Sequence, residues 1–205
     1  MFCVPMYGRL YHYAGNNPVR YIDPDGRKTY SLTDGQWETV KAAKESVSNN
    51  LNSLILELRN SGNDITKVNE NVIKSARLYL SSEFGGGIID CTELADRLES
   101  IKKQIDKLER KDFTYDDKKC TYFAKTNPFS GKIKLFDLFF EAPTDIGKDT
   151  KEGTILHEAT HSIFVFATFD VTYDEEKMKK LKDFGLMSKV WNANNWEYFY
   201  EEIFN

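Results

Sequence analysis

The chain has 205 residues, with 28 Lys and Arg against 32 Asp and Glu and a formal net charge of −4. That length suits one domain with a sizeable core, and a pI near 5.5 leaves no electrostatic case for binding nucleic acid. No run of about eighteen apolar residues occurs, which argues against a membrane-spanning helix. Met1 to Gly8 lacks the basic start and apolar stretch of a signal peptide, so export is expected to use another route or a larger parent protein.

Residues 9–27 are rich in turn chemistry. Asn16-Asn17-Pro18 and Asp23-Pro24-Asp25-Gly26 frame a short extended piece and read as an N-terminal arm. The run from Tyr11 to Gly26, Y-x-Y-A-G-N-N-P-V-x-Y-x-D-P-x-G, resembles the end of the core of Rhs and YD-repeat proteins. In those proteins a variable toxin domain follows this motif. The resemblance implies that residues 1–27 are a remnant of such a core and 28–205 an effector domain, secreted or injected into a target cell and neutralised in its producer by a cognate immunity protein. His12 belongs to the arm and is not counted as a ligand.

Ser31 to Asp34 leads into a helical pattern in which Trp37, Val40, Ala43, Val47, Leu51, Leu54, Ile55 and Leu58 recur at three- and four-residue spacing. Asn60 to Asp64 breaks it. Asp64 or Thr66 is expected to cap a second helix carrying Val68, Val72, Ala76 and Leu80. Phe84 to Gly87 reads as a turn. Asp90 or Thr92 then caps a third helix with Leu94, Leu98, Ile101, Ile105 and Leu108 as its apolar stripe. These stripes are core faces.

From Phe113 to Pro143 the pattern changes. Phe113, Tyr115, Tyr122, Ala124, Ile133, Leu135 and the Phe136 to Phe140 region predict two or more strands, with a hairpin-like turn at Asn127 to Gly131. Downstream, Asp174 to Lys180 reads as a solvated helix, and Ala193 to Phe204 as a last helix whose aromatics pack beneath its neighbour.

Between these lies Gly153 to His161, which contains H-E-x-x-H. On a helix, positions i and i+4 share a face, so His157 and His161 can aim two imidazoles at one metal ion. Glu158, next to the first, can reach an attacking water as general base. The bland alternative is an ordinary helix carrying two unrelated histidines. Ser162 to Phe166 is expected to finish the helix against the core, and Thr168 to Asp170 to form the turn beyond it. Asp170 is the nearest downstream carboxylate, the third ligand a zinc centre with one open position needs. Tyr173 can donate to an oxyanion; its alternative is a packed aromatic, and that of Asp170 a turn or cap aspartate.

H-E-x-x-H followed by T-x-D-x-x-Y resembles the aspzincin metalloendopeptidases, the deuterolysin and peptidyl-lysine metalloendopeptidase group. The family pattern G-T-x-D-x-x-Y-G stands here from Ala167 to Asp174, with both flanking glycines replaced. The stretches Thr121 to Pro128, Lys132 to Pro143, Asp149 to Thr154 and Asn192 to Phe199 extend the likeness over at least residues 120–205. The resemblance implies an α+β, mainly helical, zincin-like fold with a small antiparallel sheet beside the H-E-x-x-H helix. It implies Zn2+ held by His157, His161 and Asp170, with Glu158 and Tyr173 catalytic and a protein or peptide as substrate. Lysine-selective members line their substrate pocket with an Asp and a Glu. The matching positions here are Asn194 and Glu197, so one acid is lost and cleavage on the N-terminal side of lysine becomes an expectation resting on Glu197. A catalytically inactive binding domain of the same fold and a non-toxic maturation peptidase are the alternatives. Cys3, Cys91 and Cys120 are odd in number; free thiols are the simpler reading, with a Cys91–Cys120 bridge left open.

Overall fold

Thr33 opens the longest helix. Its hydroxyl accepts from the Gln36 N–H at 3.3 Å while the Gln36 side chain accepts from the Thr33 N–H at 3.0 Å, a reciprocal cap. This launches α1, Asp34–Ser61, which ends at Gly62 in the left-handed conformation, φ 57°. The computed structural model describes residues 29–80, 90–144, 147–181 and 189–204. The N-terminal arm, Cys3 and the turn expected at 84–87 lie outside the described residues. The α1 stripe from Val40 to Leu58 is buried as the spacing predicts, and Trp37 packs against it half-buried.

The helix α1 packs chiefly on α3, Cys91–Lys107, whose cap is Asp90. The cap of α2, Glu70–Tyr79, differs from expectation. Asp64 caps only a single 3-10 turn, Ile65–Lys67. Val68 then turns extended and is buried, and the chain restarts at Asn69, whose side chain accepts from the Asn71 N–H at 2.9 Å. No disulfide joins Cys91 and Cys120; both are thiols.

Four short strands follow the order β1-β2-β4-β3: β1 Thr29–Ser31, β2 Phe113–Asp116, β3 Ala124–Thr126 and β4 Ile133–Leu135. The sheet is mixed rather than wholly antiparallel, because β4, not β3, lies beside β2 and pairs with it in parallel. The β3–β4 pairing is antiparallel, which leaves β3 as an edge strand. The Phe136–Phe140 region is not a strand; Asp137–Glu141 forms the short helix α4. Phe136 and Phe139 are buried three residues apart, a helical spacing, and the Asp137 carboxylate accepts from the Tyr115 hydroxyl.

The central element is α5, Lys151–Thr160, every residue of which is buried. Thr150 caps it, accepting from the Gly153 N–H at 2.9 Å. It packs against α7, Ala193–Phe204, and against α1 and α3. Gly153 lets α7 come close: a Cβ there would stand 2.3 Å from Glu201 Oε1, which accepts from the Thr150 N–H and hydroxyl, each at 2.8 Å. The helix stops at Thr160 instead of running on through Phe166. The Thr160 carbonyl, which a longer helix would use, accepts from the Thr168 N–H at 3.1 Å, and its hydroxyl meets that of Thr168 at 2.7 Å. Ile163 and Phe164 are therefore exposed turn residues, not core. A further helix, α6, spans Glu175–Lys180.

Candidate metal centre

Helical geometry sets the first part of the site. His157 lies in the last turn of α5 and His161 is its C-cap residue, and their Nε2 atoms face one another at 3.1 Å. The chain then turns through Ala167, at φ +50°, and brings Asp170 back. Asp170 Oδ1 lies 3.1 Å from His157 Nε2 and 3.3 Å from His161 Nε2. The return loop is held by Asn192, at the N-terminus of α7. Its Oδ1 accepts from the Val171 N–H at 2.9 Å, while Phe169 bonds the backbone of Trp191 and Ala193 on either side.

The outer nitrogens of both rings are also engaged. His157 Nδ1 lies 2.9 Å from Glu197 Oε2, and His161 Nδ1 lies 2.8 Å from the Thr168 carbonyl. A carbonyl only accepts, so His161 Nδ1 carries the proton; the Glu197 carboxylate demands the same of His157. In the neutral rings both Nε2 lone pairs therefore point at each other and at the Asp170 oxygen. Three acceptors so close repel unless a proton or cation lies among them. Two imidazole nitrogens and one carboxylate are a donor set that zinc accepts, and outer partners of this kind orient such ligands. The residues present fit the ion.

The charges show the same tension. Burial alone would push His157 down, but the Asp170 and Glu197 carboxylates hold it well above the usual imidazole range. Asp170 pays a desolvation cost that its hydrogen bonds to His157 and His161 more than offset, so its carboxyl falls far below the ordinary range. Burial pushes Glu158 up against the pull of the two histidines. Partial burial and the Asp170 carboxylate push the exposed Tyr173 phenol up.

These groups line a cleft of about 660 Å³ bordered by β3. Among the described residues, three buried side-chain oxygens have no hydrogen-bond partner: Thr154 Oγ1, Glu158 Oε2 and Asn194 Oδ1. All three residues line this cleft. Every site residue expected from sequence, His157, Glu158, His161, Asp170, Tyr173, Asn194 and Glu197, is brought to it. Sequence reasoning missed the clamps, Thr168 and Asn192. Both stand inside stretches quoted for the resemblance, but a backbone carbonyl and a loop-holding amide carry no signal of their own in sequence. The bond between Glu197 and His157 was missed too.

A family model described as lysine-specific metallo-endopeptidase, the aspzincin family, matches residues 91–201. The chain is 32% identical over 117 residues to an extracellular protease of Aeromonas hydrophila, covering 56% of this chain and 34% of that protein. It is 34% identical over 71 residues to the peptidyl-Lys metalloendopeptidase of Armillaria mellea, covering 35% of this chain and 20% of that protein. The alignments thus span about a third and a fifth of these relatives' own length. A zinc peptidase from Grifola frondosa has a similar fold, with a TM-score of 0.56 at 20% identity over 83% of this chain and 96% of that one.

Proposed function

The chain belongs to the lysine-specific metallo-endopeptidase family, the aspzincins, and from that premise we propose that it is a zinc-dependent endopeptidase cutting proteins on the N-terminal side of lysine. One observation carries the reading. Asp170 Oδ1 lies within 3.3 Å of both facing imidazole nitrogens, with the unpaired Glu158 Oε2 in the same cleft.

His157, His161 and Asp170 would hold the ion. When bound, zinc would supply Lewis-acid polarisation of the scissile carbonyl and of the attacking water. Glu158 takes the proton from that water and delivers it to the leaving amine; its raised affinity for a proton suits that double duty. The Tyr173 hydroxyl, at the cleft wall, donates to the oxygen of the tetrahedral intermediate. Glu197, through its bond to Nδ1, keeps the His157 ring turned so that Nε2 faces Asp170 and His161, where the ion would be held. The substrate backbone lies against the edge strand β3. The β3–β4 register and the bond from the Phe136 N–H to the Phe123 carbonyl turn Phe123 and Lys125 toward β4, and so aim the Ala124 backbone groups at the open side.

The Rhs-like motif at 11–26 supports placing this activity in an effector, with 28–205 as the effector domain, a target cell as its place of action and an immunity protein as its partner. Glu158→Gln tests both parts of the reading. The variant is expected to keep one zinc per chain by elemental analysis, to lose peptide hydrolysis by at least about a hundredfold, and to relieve the growth arrest that the parent causes when expressed in the cytosol. Full activity in the variant removes Glu158 from the mechanism. Absence of growth arrest by an active parent removes the effector role.

A further inference from the structure

The cleft contains an acid that the mechanism above does not use. Asp149 stands immediately before the Thr150 cap of α5, at φ +55°, a left-handed conformation that Asp tolerates better than most residues. Its backbone N–H donates to Glu201 Oε2 at 3.3 Å, which fixes the residue against α7. The side chain is accessible, lines the cleft, and makes no hydrogen bond or ion pair among the described residues.

Helix α7 presents Asn194 and Glu197 to the same cleft, three positions apart and so on one face. Both are buried, as is Thr154 on α5. The oxygens Asn194 Oδ1 and Thr154 Oγ1 have no partner. An unpaired buried acceptor is costly to leave unmade; the Asn194 amide oxygen and the carboxylates lining the cleft can only accept, the Thr154 hydroxyl can accept as well, and together they favour a ligand that donates. An alkylammonium fits that description: it has three N–H donors and no acceptor. A carboxylate or a plain alkyl chain would leave the acceptors unmatched. Helix α7 supplies one carboxylate to this wall, because position 194 is an amide.

We propose that Asp149 supplies the second carboxylate of a subsite for a substrate's basic side chain, acting with Glu197 and with the unpaired oxygens of Asn194 and Thr154. This rests on reading the cleft as a peptidase site. Burial first, and then the Glu197 carboxylate, push the Asp149 carboxyl up, and a cation bound beside Asp149 relieves that. Asp149 is a specificity residue and has no part in moving the catalytic proton.

The test separates binding from turnover. In the full chain carrying Glu158→Gln, binding of lysinamide and of norleucinamide, its counterpart with an uncharged side chain, is measured by titration calorimetry, with and without Asp149→Asn. Asparagine keeps the left-handed backbone accessible and removes only the charge. Asp149→Asn is expected to weaken lysinamide about 10- to 100-fold and to shift norleucinamide far less. In the chain with Glu158 intact, the ratio of kcat/KM for lysine over norleucine peptides falls by a similar factor, and Asn194→Asp raises it. Equal weakening of both amides, or lysinamide binding that ignores Asp149, overturns the proposal. If lysinamide binding depends on Asp149 while no peptide is cut, the subsite stands and the peptidase reading fails. If peptides are cut with a lysine preference that ignores Asp149, the subsite alone fails.

Discussion

Ala167 sits at φ +50°, where a Cβ meets the following carbonyl at a cost of about 1 kcal/mol. Glycine is the residue suited to that position, and glycine is what the aspzincin pattern carries there. The loop has kept the glycine-like path with the wrong side chain on it. What holds the path is hydrogen bonding: the Ala167 N–H donates to the Ser162 carbonyl at 3.1 Å and the Thr168 N–H to the Thr160 carbonyl at 3.1 Å. Those bonds place the Thr168 carbonyl on His161 and Asp170 between the rings. Ala167→Gly is therefore expected to stabilise the folded chain by about 0.5 kcal/mol, the relief of strain exceeding the added entropy of the unfolded chain. Equilibrium urea unfolding measures it. A loss of stability would mean that the loop is shaped by contacts of the methyl group instead.

At the scale of elements, one ion-pair cluster joins α6, α2 and the lead-in to α5. Glu175, in the first turn of α6, accepts from Lys148, from Lys179 at 2.7 Å and from the Tyr79 hydroxyl at 3.0 Å. Lys148 and Lys179 pull its carboxyl from 4.5 to about 2. A carboxyl lowered on folding stabilises the native state above its unfolded pKa, and that contribution is lost as pH falls through the folded one. The stability difference between the parent and Glu175→Gln is thus expected to be about 1 kcal/mol near neutral pH, after allowance for solvent screening. It should shrink below the unfolded value of 4.5 and vanish near about 2. Unfolding curves for the two proteins across that window test it; a constant difference would assign the effect to packing. Element by element, legibility in the sequence followed how far each pattern repeated. Helices α1, α3 and α7 are long enough for a buried face to recur every three or four residues. The short pieces carry no such repeat: α4 reads as strand because a run of phenylalanines has no visible period, and α5 ends before its apolar pattern does because Thr168, eight residues away, takes its last carbonyl. His157, Glu158 and His161 were readable because one helix carries them. Asp170 and Tyr173 lie beyond that helix, so position downstream makes them only candidates, and the family likeness adds the weight. The contacts of Glu197 with His157 and of Glu201 with Thr150 bridge 40 and 51 residues, so no local pattern encodes them.

Across the whole molecule, the sheet, α5, the return loop and α7 serve one arrangement. The edge strand β3 packs on α5 and borders the cleft, α7 supports α5 from beneath, and Asn192 at its N-terminus ties the loop that delivers Asp170. The buried oxygens left without partners among the described residues collect in that cleft and not in the core behind it. The fold thus concentrates its uncompensated polarity where a cation and a basic side chain would meet it. The most direct measurement is anomalous diffraction from a crystal of the full chain, collected above and below the zinc absorption edge. The expected result is a single strong peak that appears only above the edge and lies about 2.0–2.2 Å from His157 Nε2, His161 Nε2 and an Asp170 oxygen. No peak there from zinc-supplemented protein, or a peak on the histidines with Asp170 turned away to solvent, would contradict the account.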